Sequence, residues 1–303
     1  MRVKIENLTH IYNQGQANET AALDDVTLTI EDGEFAGLIG HTGSGKSTLV
    51  QHLNALLKPH SGKIFIGDTD ITEKGVSLMD IRKKVGLVFQ YPEHQLFEAT
   101  VEEDVAFGPK NLGLSEEEIA QRVDEALRLV GLDPEVHGKR SPFELSGGQK
   151  RRAAVAGVIA MKPEILILDE PTAGLDPGAH QEILEMIQHI RKEQKCTTLL
   201  VSHNMDDIAR LCDRVIVMNK GKVALNGTPA EVFSQDDFLK SIGLGLPAAK
   251  ELLYIMKNKG IDVASRVGGA VADVLTDQQA ADVIFEMLQK SGKISAGTGM
   301  EEK

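Results

Sequence analysis

Two features of the sequence predict an α/β protein with a mostly parallel sheet and flanking helices. Short strands alternate with helices through the first two thirds of the 303 residues, the pattern of a sheet covered on both faces. The strands predicted at 85–89, 165–168, 197–201 and 214–218 are β-branched or Leu-rich runs without polar alternation, as burial on both faces requires. Another is predicted at 34–39. Taken in order, 2–9 and 22–30 alternate apolar and polar residues with period two and predict an antiparallel N-terminal β layer, to which 63–66 adds a short strand. From 97 to 145 the pattern turns helical. The stretch SEEEIAQRVDEALRLVGL opens on Ser115 as N-cap, carries acidic residues in its first turn, and sets Ile119, Val123, Ala126, Leu127 and Val130 on one stripe. It belongs to an inserted helical subdomain at about 92–150. Beyond 233 the sheet pattern stops, SIGLGLP reads as a Gly/Pro hinge, and two short amphipathic helices at about 247–259 and 276–290 precede a polar tail. The expected division is a first domain over 1–235 and a C-terminal helical extension over 236–303.

Composition narrows the function classes. With 42% hydrophobic residues the chain can fill a core, which excludes disordered and collagen-like classes. Its 33 basic and 45 acidic side chains leave a net charge of −12, which argues against DNA, RNA or anionic lipid as partners, since all of them favour a basic face. Cys196 and Cys212 stand apart, without a CxxC or clustered His, so neither a disulfide framework nor a four-ligand zinc site is expected and a reducing, cytosolic compartment is the default. No apolar run reaches the roughly 18 residues of a membrane-spanning helix. The longest, 153–161, follows three basic residues and reads as a core helix. The opening MRVKIENLTH alternates like a strand and does not resemble a signal peptide, so membrane attachment is expected only through partner proteins.

Three motifs carry chemistry. Gly40-His41-Thr42-Gly43-Ser44-Gly45-Lys46-Ser47-Thr48 fits G-x-x-x-x-G-K-[ST], between a predicted strand and the helical LVQHLNALL. Its glycines let successive N–H groups and the helix N-terminus face phosphates; Lys46 would reach the β and γ oxygens and Ser47 would ligate Mg²⁺. The strand Ile165-Leu166-Ile167-Leu168 ends in Asp169-Glu170. Adjacent residues at a strand's end point apart, so Asp169 is assigned to the metal through a water and Glu170 to polarising or deprotonating the lytic water. Third, Leu145-Ser146-Gly147-Gly148-Gln149 precedes a helix predicted over 149–161, so Ser146 and the two glycines form a second anion-binding N-terminus.

That last motif resembles the signature of the ATP-binding-cassette (ABC) ATPases, and the resemblance covers about residues 1–235. It implies a P-loop NTPase fold, and a dimer with two composite ATP sites in which each LSGGQ contacts the γ-phosphate held by the partner's phosphate loop. It further implies that Gln90 senses Mg²⁺ and the lytic water, that Asp176 couples the two sites, and that His203 hydrogen-bonds the γ-phosphate. Tyr12 falls where the family places an aromatic that stacks on adenine, in the loop after the first strand; it is one of only three tyrosines.

A finer resemblance lies in Val88-Phe89-Gln90-Tyr91-Pro92-Glu93-His94-Gln95-Leu96-Phe97, in Asp104-Val105-Ala106-Phe107-Gly108-Pro109, in Pro142-Phe143-Glu144-Leu145 and in KRRAAVAGVIAM. These are similar to the ATPase subunits of energy-coupling factor (ECF) transporters, specifically the A-prime member of the pair. The resemblance implies a heterodimer with a second ECF ATPase, a homodimer being the alternative. The pair would be clamped to a membrane T component carrying S components for vitamins or metal ions. An aromatic and acidic patch just after Gln90 suits docking of a partner helix. The stripe Leu252, Leu253, Ile255 and Met256 resembles the family's dimer contact.

Rival readings are weaker on the residues. Chromosome-type members carry long coiled-coil arms, yet only 97 residues separate Thr48 from Ser146 and no heptads are sustained there. Translation-type members usually hold two cassettes per chain. A non-hydrolysing module is disfavoured because Glu170 and His203 are both present. The ATPase subunit of another ABC transporter remains the nearest alternative.

Overall fold

The computed structural model describes residues 1–261, 263 and 274–290; the predicted polar tail lies outside them. Two compact units divide the chain: Met1–His203 with Ile216–Leu225, and Asn204–Val215 with Asn226–Lys303.

In the first unit, β1 (Val3–Tyr12) pairs antiparallel with β2 (Thr20–Ile30) and with β4 (Ser61–Ile66), which in turn pairs with β5 (Thr69–Asp70). The period-two pattern does what it predicts, burying Val3, Ile5 and Leu8 completely. Strand β1 runs on past residue 9 because the register shifts after Ile5, around Asn7 at φ 49°, and resets the alternation that the sequence shows.

The main sheet is ordered β10-β9-β3-β8-β7-β6, with β3 (Phe35–Ile39), β6 (Val85–Val88), β7 (Ile165–Asp169), β8 (Thr197–Val201), β9 (Arg214–Asn219) and β10 (Lys222–Gly227). The pairs β3/β8, β8/β7 and β7/β6 are parallel. All their residues are buried, Thr197 and Thr198 of β8 included, apart from Asp169 at the end of β7. Strand β10 was not predicted, since none of its residues is buried. Its signal is instead the two-residue turn Lys220-Gly221, both at positive φ, as a tight hairpin requires.

Helix α1 (Lys46–Leu53) follows β3 directly and α2 (Leu78–Lys84) leads into β6. The helical subdomain holds α3 (Val101–Asn111), α4 (Glu116–Leu129), α5 (Pro134–His137) and α6 (Gly147–Ile159). Helices α3 and α4 start at capping boxes, Thr100 with Glu103 and Ser115 with Glu118. The α4 stripe Ile119, Val123, Ala126, Leu127 and Val130 is buried as expected. Helix α6 starts two residues before its predicted start, because Ser146 is the cap and Gln149 its N3 partner. Ala153, Val155, Ala156 and Ile159 are fully buried, so the longest apolar run is a core helix, and no described helix is long and apolar enough to cross a membrane. After β7 comes α7 (Pro177–Gln194), burying Ile183, Leu184, Ile187 and Ile190.

The second unit contains α8 (Met205–Leu211), α9 (Pro229–Phe233), α10 (Asp236–Ser241), α11 (Ala248–Asn258) and the helix Asp277–Lys290. The segment read as a hinge packs Leu244 and Leu246 inside, so it is an anchored connection. The apolar stripe of α11 divides: Leu253 and Met256 join Ala280 and Met287 in a small core, whereas Leu252 and Ile255 stay exposed, as does Phe285.

Candidate active site

Parallel pairing sets the strand ends level. Leu38 and Asp169 both pair with Val201, and Val88 pairs with Leu168. The segments that follow β3, β7, β8 and β6 therefore leave from one edge of the sheet, the carboxyl edge at which open α/β sheets bind ligands. Those segments carry Gly40–Thr48, Glu170, His203 and Gln90.

The phosphate loop is held by close backbone approach. A Cβ on Gly40 would lie 2.5 Å from the Met218 carbonyl oxygen, and one on Gly45, at φ +106°, 2.5 Å from that of Ala22. Only glycine fits either place. Ser44 is fully buried and the N–H of Gly221 donates to its carbonyl (3.0 Å), while His41 Nε2 lies 3.1 Å from Asn219 Oδ1. Thr42, Gly43 and Ser47 are exposed; Thr48 is buried at the start of α1.

Lys46 is buried, and its Nζ donates to the carbonyls of Gly40 (2.5 Å) and His41 (3.2 Å). Burial pushes its pKa down, against the pull of Glu170 and then Asp169. Asp169 shows the converse: burial raises its pKa and the Lys46 charge opposes the rise. His203 Nε2 lies 3.2 Å from Glu170 Oε1, and burial followed by the Lys46 charge lowers the pKa of this imidazole, keeping it neutral near pH 7. Lys46, Asp169, Glu170 and His203 thus form one electrostatic cluster. Glu170 itself sits at φ +53°, in the left-handed region, where a non-glycine residue costs about 1–2 kcal/mol. Its N–H donates to the Val201 carbonyl (3.0 Å), and the N–H of Ala173 donates back to the Glu170 carbonyl (3.1 Å).

Tyr12 requires a correction. It closes β1 opposite Thr20 and does not stand in the following loop, because the bulge in β1 prolongs the strand. Its hydroxyl is 3.3 Å from Thr48 Oγ1, which ties it to the phosphate-loop helix, and its ring stays partly exposed. Behind it, His10 packs edge-on against Tyr12, His52 and His60 with centroids 4.6–5.0 Å apart, a cluster the sequence did not announce.

The signature motif lies elsewhere on the same unit. Ser146 Oγ accepts from the Gln149 N–H (3.3 Å) and Gln149 Oε1 accepts from the Ser146 N–H (3.0 Å). The first-turn N–H groups of Gly147 and Gly148 have no acceptor within their helix. Asp176 caps α7, its Oδ1 accepting from the N–H groups of Gly178 (2.9 Å) and Ala179 (3.1 Å). Sequence reasoning also missed Arg151, the largest fully buried side chain among the described residues, which pairs with Glu93. The sequence gives it no distinguishing signal, since it is the middle one of three consecutive basic residues, Lys150, Arg151 and Arg152.

A phosphate loop and two carboxylates at one sheet edge, with a signature motif capping a helix of the same unit, make up the motif set of an ABC ATPase. The family model described as ABC transporter matches residues 23–173. The energy-coupling factor transporter ATP-binding protein EcfA2 of Clostridium tetani is 60% identical over 88% of this chain and 93% of that protein, and EcfA2 of Clostridioides difficile is 54% identical over 96% and 99%. Among solved structures, cbiO1 from Clostridium perfringens, described as part of the ABC transporter complex cbiONQ, matches with TM-score 0.71 and 41% identity over 83% of this chain and 98% of that one. The cassette MJ0796, in a dimeric post-hydrolysis state bound to ADP and Pi, matches with TM-score 0.66 and 30% identity over 75% and 98%. The chain belongs to the ECF transporter ATP-binding proteins and is an ATP-hydrolysing subunit, as the motifs implied.

Proposed function

We propose that the chain pairs with a second, non-identical ECF ATPase at the cytoplasmic face of the cell membrane, and drives uptake of vitamins or metal ions through a T component carrying S components. The observation that carries this reading is a groove of about 610 Å³ between α2, α3 and α6, beside the turn that follows Gln90. Met79, Phe97 and Phe107 line it and are 66, 60 and 45% exposed, an apolar surface awaiting cover. Phe97 and Phe107 meet edge to face at 5.1 Å. Asp104 lies buried in its wall. One carboxylate oxygen accepts the N–H groups of Phe97 (3.1 Å) and Glu98 (3.2 Å), the other accepts no hydrogen bond from the described residues, and burial raises its pKa. The fitting occupant is a T-component helix with an apolar face and a donor that reaches Asp104.

Hydrolysis is positioning plus electrostatics. Lys46 and the N–H groups of Gly40–Thr48 hold the β- and γ-phosphates of ATP, and Tyr12 stacks on its adenine. The opposing cassette brings the N-terminus of its signature helix, the role Ser146, Gly147, Gly148 and Gln149 play for the partner. Glu170 orients the attacking water and accepts its proton, neutral His203 hydrogen-bonds the γ-phosphate, and Asp176 couples the two sites. The hydroxyl of Ser47, the amide of Gln90 and the carboxylate of Asp169 offer hard oxygen donors, which suit Mg²⁺ shared with phosphates. A Mg²⁺ held by these residues would supply neutralisation of the charge that develops on the phosphate oxygens. Exposed Leu252, Ile255 and Phe285 fit contact with the second cassette.

Gentle detergent co-purification with identification of the bound chains tests the reading. A T component and a second, different cassette are expected; a pair of identical chains would replace heterodimer with homodimer, and nucleic acid or ribosomes would overturn the proposal. Phe97→Glu should release the T component while retaining the second cassette.

A further inference from the structure

Arg151 ties its own helix to two other segments that the reaction needs. It projects from α6, the helix opened by the signature motif, and is 1% exposed. Nε and Nη2 donate to the two carboxylate oxygens of Glu93 (3.0 and 2.8 Å), on the short turn Pro92–Gln95 that follows Gln90. Nη1 donates to the carbonyls of Pro171 (3.1 Å) and Ala173 (2.8 Å), one and three residues after Glu170. Four charge-assisted hydrogen bonds leave one of the five guanidinium N–H groups. Tyr91 completes the assembly: its ring lies 5.8 Å from the guanidinium carbon, and a Cβ on Gly174 would stand 3.4 Å from its Cε1.

A left-handed glutamate persists only where its surroundings over-determine it. The turn Glu170-Pro171-Thr172-Ala173, closed by the Ala173 N–H, is where Arg151 supplies two of the carbonyl contacts. We propose that Arg151 is a positioning residue for ATP hydrolysis, fixing the turn that aims Glu170 and locking it to the Glu93 turn and to the signature helix. Burial alone would favour neutral Glu93, but the hydrogen bonds from Arg151 win and hold its pKa below the ordinary value, so the pair stays charged. The fork geometry matters. Lysine can meet Glu93 or the carbonyls, but cannot span both as a planar fork does.

The proposal rests on Glu170 as the residue that orients the water. The test measures kcat and KM for ATP, with thermal melting, in the assembled transporter for Arg151→Met, Arg151→Lys, Glu93→Gln and the double variant Arg151→Met/Glu93→Gln, beside Glu170→Gln. Arg151→Met should lose at least 10-fold in kcat with KM changed less than 2-fold, and Arg151→Lys should fall between it and the unchanged protein. Removing the orphaned carboxylate in the double variant should recover melting temperature but not kcat. Recovery of kcat along with stability, or a rise in KM in place of a fall in kcat, would show Arg151 to be a stabilising group only and overturn the proposal. If Arg151→Met fails to assemble, Arg151→Lys and Glu93→Gln carry the same comparison of kcat against melting. Intact turnover in Glu170→Gln would defeat the reading of Glu170; loss there with normal kcat in the Arg151 variants would defeat this one alone.

Discussion

Replacing Glu170 by Gln changes one oxygen for one NH₂ at the centre of the cluster. The shape is kept, so the contact with His203 at 3.2 Å has an amide counterpart and the left-handed backbone is no more strained than before. What goes is the proton acceptor and one negative charge. Loss of a general base costs about 10²–10⁴ in rate, or about 3–5 kcal/mol in the barrier. Charge works in the other direction for binding. Glu170 and Asp169 outnumber Lys46, and ATP adds more negative charge beside them. At an effective dielectric near 20 and a separation of about 6 Å, one like-charge pair opposes binding by about 3 kcal/mol at most. Glu170→Gln should therefore hydrolyse ATP at least 100-fold more slowly while binding it as tightly or up to about 100-fold more tightly. Single-turnover hydrolysis and a fluorescent-nucleotide titration on the assembled complex read both quantities. A kcat within threefold of the unchanged protein, or a tenfold weaker affinity, would refute the reasoning.

Gly45→Ala places a methyl 2.5 Å from the Ala22 carbonyl at φ +106° and should cost about 2 kcal/mol or more, read as a lower denaturant midpoint; an unchanged midpoint would contradict it. Tyr12→Ala should weaken ATP binding by about 1–3 kcal/mol, and Tyr12→Phe much less, because stacking needs the ring and not the hydroxyl; equal affinities for all three proteins would remove Tyr12 from the adenine site. His10, His52 and His203 all have folded pKa values lowered from 6.5 by burial, so the unfolded chain takes up their protons first as pH falls. The stability they contribute is complete above 6.5 and is lost as pH drops below it towards the folded values; melting at pH 7.5 should exceed melting at pH 5.5, and His52→Gln should flatten the difference.

Legibility followed contiguity. The phosphate loop, the Asp169-Glu170 strand end and the Ser146 cap are each built from neighbouring residues, so their chemistry could be read from spacing alone. The alternation in the sequence predicts an end to β1 at residue 9, but its pairing with β2 shifts register three times between Ile5 and Ile11, the first around Asn7, and the strand runs on to Tyr12. Strand β10 has no fully buried residue, and its apolar Val223, Ala224 and Leu225 run together without alternation. Asp176, read as a coupling residue, is also the N-cap of the 18-residue α7, a role its position before Pro177 encodes locally.

By itself the sequence determined the class of protein, its strand and helix inventory in outline, and the motifs proposed to hold nucleotide. These depend on local backbone geometry and on apolar periodicity, which neighbouring residues write directly. Tertiary structure alone decided that Lys46, Asp169, Glu170 and His203 form one cluster, that Asp104 lines an open apolar groove, and that Arg151 reaches Glu93 and the Glu170 turn. Those contacts join residues 20 to 157 positions apart in the chain, and burial, which sets their charges, exists only once strands from distant segments lie side by side.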